Sequence, residues 1–300
     1  MADHIPVMLD EVMRFLAPAK KDIVLDATLG AGGYTDFLLN HYPEVEKIIG
    51  IDQDIDAIKL VKNKINSKKL ICLNGNFSNY RRLLEENGIN YSFNKVILDL
   101  GISSMQIDNA ERGFSYKAEG PLDMRMDRIR NQLTAAQILN SFTENDIADI
   151  IYKYGEEPKS RFLAKSIVSK RKEKHFTKTS ELLEIIKSSI HGSFERKMTA
   201  VKRVFQALRI KVNNELDILE DTLTAMLNDL PHLGRIVVLT FHSLEDRIVK
   251  QTFNKFTASE NPFHIVKLNK KVVIATEDEV KINPRARSAK LRAIEKWNIT

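Results

Sequence analysis

Asp26-Ala-Thr-Leu-Gly30-Ala-Gly32-Gly33 joins a short apolar run, residues 23–29, to a predicted helix. Glycines at such a junction let the backbone approach a ligand and take positive φ. The helix start that follows offers unbonded N–H groups. Asp52 closes the next apolar run, 19 residues beyond Gly33. An acid at the end of a second strand can accept both hydroxyls of a ribose. Loop and acid together point to an adenosine-type cofactor. A tight strand-to-helix turn without a ligand is the alternative. A dinucleotide fingerprint needs glycine at position 35, where Thr35 stands, and the G-K-[ST] of a P-loop is absent. Asp26, four residues before Gly30, disfavours pyrophosphate. It suits a cationic ligand such as S-adenosylmethionine, with its amino and sulfonium groups.

Outward from this segment, residues 23–29, 47–51, 70–73 and 95–99 read as buried strands, short, aliphatic and bounded by turn residues. Their spacing leaves room for one helix per crossover, which predicts a parallel sheet. A fifth strand, residues 235–241, follows only after 134 positions. A crossover needs about 30 residues, so a separate module is expected in the gap. Its pattern is helical. Thr143-x-x-Asp146 resembles a capping box, Gly155 stands where a C′ glycine belongs, and Pro158 can open the next helix. Apolar residues at steps of three and four from Phe205 to Leu230 predict one long helix, or two in series, leading back to the sheet.

Composition sets the outer limits. The chain has 300 residues, 43% of them hydrophobic and 29% charged, which is globular rather than disordered. One cysteine, Cys72, excludes a disulfide framework and a multi-cysteine zinc site. No histidine pair has metal-ligand spacing, so no metal is expected. No aliphatic run spans a membrane, and the first residues do not form a signal peptide. A reducing, cytoplasmic setting follows as the expectation. The net charge of +6 is unevenly spread. Residues 151–203 carry 14 Lys/Arg against 6 Asp/Glu, and residues 281–300 carry 6 against 1. The rest of the chain is acidic. Two basic blocks favour a polyanionic partner such as nucleic acid; solvated helix faces are the alternative.

The fourth strand runs into Leu98-Asp99-Leu-Gly-Ile-Ser103-Ser-Met-Gln106. Ligands of open α/β sheets sit at the carboxyl ends of strands, which places Asp99 beside the expected cofactor. Polar, glycine-bearing stretches follow: Glu111-Arg-Gly-Phe-Ser115 and Gly120-Pro-Leu-Asp-Met-Arg-Met-Asp127. With these, the chain resembles the bacterial 16S rRNA cytosine-N4 methyltransferases, class I S-adenosylmethionine enzymes, over nearly its whole length. The resemblance also rests on His4-Ile-Pro-Val-Met8, Tyr154-Gly-Glu-Glu157, Phe205-Gln-Ala-Leu-Arg-Ile210, Phe241-His-Ser-Leu-Glu-Asp-Arg247 and Asn283-Pro-Arg-Ala-Arg-Ser-Ala-Lys-Leu-Arg292. Two positions depart from the family pattern. Tyr34 stands where the family usually has histidine, and Met105 where it usually has proline.

The resemblance implies a Rossmann-like class I methyltransferase α/β domain, residues 1–107 and 205–300, with an inserted all-helical RNA-binding domain at 108–204. It implies a cofactor set of Gly32, Gly33, Tyr34, Asp52, Phe77, Asp99 and Gln106. Of these the loop glycines, Asp52 and Asp99 also follow from the residues alone. The implied reaction is methyl transfer from S-adenosylmethionine to the N4 amine of a cytosine in the decoding region of 16S rRNA, within the small ribosomal subunit. The amine's lone pair is delocalised into the ring. The site must therefore align it and accept a hydrogen bond from it. Asp99 is the expected catalytic group; Ser103 or a carbonyl of residues 100–104 are the other acceptors. Arg285, Arg287, Lys290 and Arg292 are expected to grip the rRNA backbone together with the insertion. His242 and Arg247 are expected on the substrate side, His242 equally as a helix-start residue. The family also allows a homodimer, for which the sequence holds no signal of its own. DNA or small-molecule methylation, and RNA binding without catalysis, remain the rival readings.

Overall fold

A computed structural model describes residues 6–257 and 263–298. Residues 4 and 5 of the His4 motif lie outside the described residues. The chain divides into two compact units, Met1–Gly101 with Leu216–Thr300, and Ile102–Glu215.

The first unit opens with α1 (Leu9–Leu16), β1 (Ile23–Asp26), α2 (Gly33–His41), β2 (Lys47–Asp52), α3 (Ile55–Lys64), β3 (Leu70–Asn74), α4 (Tyr80–Glu86) and β4 (Lys95–Asp99). The second unit holds α5 (Ser104–Asp108), α6 (Ala135–Ser141), α7 (Glu144–Gly155), α8 (Ser160–Arg171), α9 (Thr179–Ser189) and α10 (Phe194–Asn213). The chain then returns to the first unit with α11 (Leu219–Asp229), β5 (Arg235–Thr240), α12 (Ser243–Thr257), β6 (Phe263–Lys267), β7 (Val273–Ile274), α13 (Glu277–Ile282) and β8 (Lys290–Asn298).

The sheet order is β3-β2-β1-β4-β5-β8-β6, with β7 also pairing β8. β1 to β5 are parallel, and β8 joins β5 antiparallel. The chain winds outward from β1 in both directions, which makes the β1/β4 boundary a topological switch point, where open α/β sheets bind ligands. Both faces are covered, as parallel sheets require. Leu25, Ile49, Val96, Leu98, Ile236 and Val238 pack with α11 and α12 on one side. Val24, Ile48, Ile97, Val237 and Leu239 pack with α1 and α2 on the other. No helix among the described residues is long and apolar enough to cross a membrane.

The five expected strands are present, but β1 ends at Asp26, three residues before the predicted limit. Residues 27–29 peel away as the turn, although Ala27 and Leu29 still donate to the Ile97 and Ile51 carbonyls. Gly50 makes room for this crossing: a Cβ there would come within 2.7 Å of the Leu29 side chain. The periodic stretch before β5 is two helices, α10 and α11. Asn214 breaks it in the left-handed region, φ 53°.

The helical unit spans 102–215 rather than the expected 108–204. α10 cannot be cut at 204, because it runs unbroken to Asn213. The Asn213 side chain accepts from the Met126 N–H and donates to the Met124 carbonyl, both at 2.7 Å. The capping box of α7 forms as expected, Thr143 with Asp146, and α8 begins two residues after Pro158. Gly155 is not the C′ glycine; Glu156 takes the left-handed position. Gly155 instead lets α10 approach, since a Cβ would come within 2.6 Å of the Arg203 carbonyl. Buried Glu157 then pairs with Arg203 at 3.2 Å. The Tyr154-Gly-Glu-Glu157 motif thus clamps α7 to α10.

The two motifs between β4 and α6 also meet backbone to backbone. A Cβ on Gly120 would lie 1.8 Å from the Ala110 carbonyl oxygen. Gly120→Ala is therefore expected to destabilise the chain by about 2–3 kcal/mol, read as a lower urea midpoint at unchanged slope.

Candidate active site

The register sets the geometry. Asp26 pairs with Gly50 in β2 and Ile97 in β4. Asp52 and Asp99 therefore stand two residues farther along the neighbouring strands. Strand side chains alternate faces and paired residues share one, so all three carboxylates lie on the same face at the carboxyl edge.

The glycine loop wraps this edge. Gly30 N–H donates to Asp52 Oδ2 at 2.7 Å, and Asp54 N–H to Asp52 Oδ1 at 2.8 Å. Each oxygen keeps a further lone pair for a hydroxyl. Thr28 Oγ1 accepts from the Asp99 N–H at 2.6 Å. Thr35 is fully buried and donates its hydroxyl to Asp26 Oδ2 at 2.7 Å. That hydrogen bond explains why position 35 is not glycine. Past β3, Gly75 N–H and Asn74 Nδ2 both donate to the Asp52 carbonyl, at 2.9 and 3.0 Å. These tie down the turn that carries half-buried Phe77.

The electrostatics suit a cation. Burial pushes the Asp99 carboxyl up to about 8, with Asp26 and Glu245 adding repulsion. Asp26 rises to about 6 through burial, although Thr35 opposes the rise. Asp52 also rises to about 6, chiefly through burial. Asp26 Oδ1 and Asp99 Oδ1 are shielded from water and unpartnered among the described residues. Buried acceptors without donors are costly. The ammonium group of a ligand would donate to such an oxygen and a sulfonium would balance the carboxylate charge, while Asp52 and Phe77 suit a ribose and a base. The residues fit S-adenosylmethionine. Thr35→Val removes the side-chain donor of Asp26 and leaves it the backbone of Thr28. We expect a loss of about 1–3 kcal/mol in stability, checked by denaturant unfolding at neutral pH.

Comparison with known proteins places this arrangement. The model of the MraW methylase family matches residues 1–297. The chain belongs to the MraW methylase family. Ribosomal RNA small subunit methyltransferase H of Mesoplasma florum is 41% identical over 99% of this chain and 100% of that protein. The protein of the same name from Neorickettsia sennetsu is 43% identical over 98% and 96%. Among solved structures, an rRNA methylase from Streptococcus thermophilus aligns with TM-score 0.44 and 10% identity, covering 97% of this chain and 94% of that one. That likeness is too low to carry an argument.

In this MraW methylase the expected site residues divide between the units. Gly32, Gly33, Tyr34, Asp52, Phe77 and Asp99 lie together at the carboxyl edge of the first unit. Ser103 and Gln106 belong to the second. There they form the capping box of α5: Ser103 N–H donates to Gln106 Oε1 at 3.1 Å, and Gln106 N–H to Ser103 Oγ at 3.3 Å. The Ser103 hydroxyl accepts one hydrogen bond there and keeps a second lone pair. His242 stands at the start of α12, its Nδ1 accepting from the Glu245 N–H at 3.4 Å. Glu245, which sequence reasoning passed over, is buried and accepts from Phe241 N–H at 2.8 Å. Arg247 is exposed on α12.

The C-terminal basic block differs most from expectation. Arg292 forms a two-pronged pair with Asp246, at 2.7 and 3.1 Å. Lys290 lies 3.6 Å from the same carboxylate. Both belong to β8, a strand of the sheet, so their charges are largely spent inside the fold. Arg287 is exposed and Arg285 half-buried on the short 3-10 turn before β8.

Proposed function

We propose that the chain methylates the N4 amine of a cytosine in the decoding region of 16S rRNA, within the small ribosomal subunit, using S-adenosylmethionine. The observation that carries the cofactor is the triad of Asp26, Asp52 and Asp99 at the switch point, with two shielded carboxylate oxygens lacking donors. The rRNA substrate is supported by full-length relatives named for the small-subunit RNA. When bound, S-adenosylmethionine supplies an electrophilic methyl group.

The chain's own residues then have three tasks. Asp52 and the glycine loop orient the nucleoside, with Gly32, Gly33 and the backbone of Tyr34 lining it and Phe77 beside the base. Asp99 Oδ1, ionised once a cation is beside it, accepts a hydrogen bond from the target amine and turns the lone pair toward the methyl group. It stabilises the developing positive charge and can take the proton that the methylated amine releases. The basic helical unit, with Arg285 and Arg287, holds the phosphates around a base taken out of its stack. Gln106 joins the cofactor set on the resemblance alone, and a homodimer stays part of the proposal on the same ground.

Methyl transfer from labelled S-adenosylmethionine to 30S subunits, naked 16S rRNA and DNA tests the reading, with nucleoside mass spectrometry of the product. N4-methylcytidine in 30S subunits alone is expected. Label in DNA but not RNA, or no transfer to any of the three, would overturn it.

A further inference from the structure

The segment of residues 6–8, ahead of α1, is unusually constrained. Pro6 lies against Gly33, the first residue of α2: a Cβ on Gly33 would come within 2.5 Å of the proline ring. The next residue of α2, Tyr34, is 4% exposed and donates its hydroxyl to the Val7 carbonyl at 2.6 Å. Met8 takes the left-handed conformation, φ 52°, and its N–H donates to Glu279 Oε1 on α13, also at 2.6 Å. A non-glycine residue in that region persists only where its surroundings over-determine it. Here the surroundings are two hydrogen bonds from separate elements and a proline seated on the cofactor loop.

The position of Tyr34 links this segment to the carboxylates. Its hydroxyl is held far above its ordinary pKa, first by burial and then by the charges of Asp99, Asp26 and Glu279. The phenol therefore stays protonated and remains a donor at any working pH. Pro6 packs against Gly33 from outside the loop, whose own backbone bonds run from Gly32 N–H to the Leu29 carbonyl and from Asp36 N–H to the Gly32 carbonyl.

We propose that Tyr34 is a positioning residue whose hydroxyl, together with Glu279, straps residues 6–8 across the first turn of α2 and so fixes the wall of the cofactor pocket at Gly33. The strap does not touch the reacting atoms. It acts by keeping the glycine loop in the conformation that binds. This role belongs to the side chain, whereas the cofactor set uses only the backbone at position 34. It also gives the tyrosine at this position a role of its own, since its phenol reaches the Val7 carbonyl. The inference rests on the proposed S-adenosylmethionine site.

Three variants test it in the full-length protein: Tyr34→Phe, Tyr34→His and Glu279→Ala. Amide hydrogen exchange at Met8 and Gly33 is read without cofactor, and S-adenosylmethionine affinity by calorimetry. Tyr34→Phe is expected to speed exchange at Met8 about tenfold and to weaken S-adenosylmethionine about tenfold. Circular dichroism should stay close to wild type, with a lower melting temperature of the size expected for one lost buried hydrogen bond. Tyr34→His, whose ring nitrogens end well short of the phenol oxygen, should not restore the bond to Val7 and should bind no better than Tyr34→Phe. Both Tyr34→Phe and Glu279→Ala release the same strap, so their effects on affinity should fall short of additive in the double variant. Unchanged exchange at Met8 in Tyr34→Phe would overturn the anchor, and full additivity would overturn the shared strap. If exchange rises but affinity does not, the strap exists and the role assigned to it fails. Absence of binding in wild type would instead overturn the cofactor site, while the exchange arm still decides whether the hydroxyl holds the segment.

Discussion

Asp99→Ala is expected to lower single-turnover methyl transfer to 30S subunits by about a hundredfold or more at saturating S-adenosylmethionine. Asp99 ends β4 at the switch point, with its N–H fixed by Thr28 and its Oδ1 shielded and unpartnered. Asp26 Oδ1 at the end of β1 is likewise without a donor among the described residues, so the two oxygens share this edge, and Asp99 is the one expected to face the amine. Asp99→Asn separates the charge from the hydrogen bond. The amide oxygen can still accept from the amine, but it cannot balance a positive charge. An intermediate rate is expected for Asp99→Asn, between wild type and Asp99→Ala. Normal cofactor affinity with normal turnover in Asp99→Ala would remove this residue from the mechanism.

The second large effect is a pH dependence of cofactor affinity. In the ligand-free fold Asp99 is raised to about 8, and Asp26 and Asp52 to about 6. The unfolded chain releases these protons in the ordinary carboxylate range. Between that range and pH 8 the folded state therefore binds more protons. Linkage then makes the ligand-free fold less stable as pH rises through this window. A cationic ligand favours the ionised carboxylates, so its binding expels protons. S-adenosylmethionine affinity is expected to rise between pH 6 and 7.5, by up to about tenfold per unit for each proton released. That window lies below the titration of the ligand's own amine, near about 7.7–8.0. S-adenosylhomocysteine, which lacks the sulfonium charge, should show a shallower slope. Calorimetry in buffers of different ionisation enthalpy counts the protons. Affinity that is flat or falling over this range would contradict the electrostatic picture.

The strands of the parallel half were legible because each is an aliphatic run cut off by turn residues. Asp52 and Asp99 were legible because they end such runs. β8 was not. Lys-Leu-Arg-Ala-Ile-Glu-Lys-Trp-Asn reads as a basic tail, since its charges interrupt the alternation that marks a half-buried strand. The fold accommodates them individually. Arg292 goes to Asp246, Glu295 pairs with Arg235 at 2.6 Å, and Lys296 donates to the Leu227 and Asn228 carbonyls. Each partner is distant in sequence, so no local pattern announces it. In the sequence Thr35 is no more than a missing glycine; its hydrogen bond to Asp26 becomes visible once the register is known. The limits of the helical unit were misjudged for a similar reason. The amide of Asn213 holds a loop almost ninety residues away in the chain.

Every step of the functional reading passes through the carboxyl edge of β1, β2 and β4. Titration of S-adenosylmethionine into the purified protein at pH 7.5, beside Asp52→Ala, addresses that edge directly. Saturable one-to-one binding by the wild type, lost or severely weakened in Asp52→Ala, is the predicted result. No heat of binding in the wild type, or equal affinity in both proteins, would contradict it.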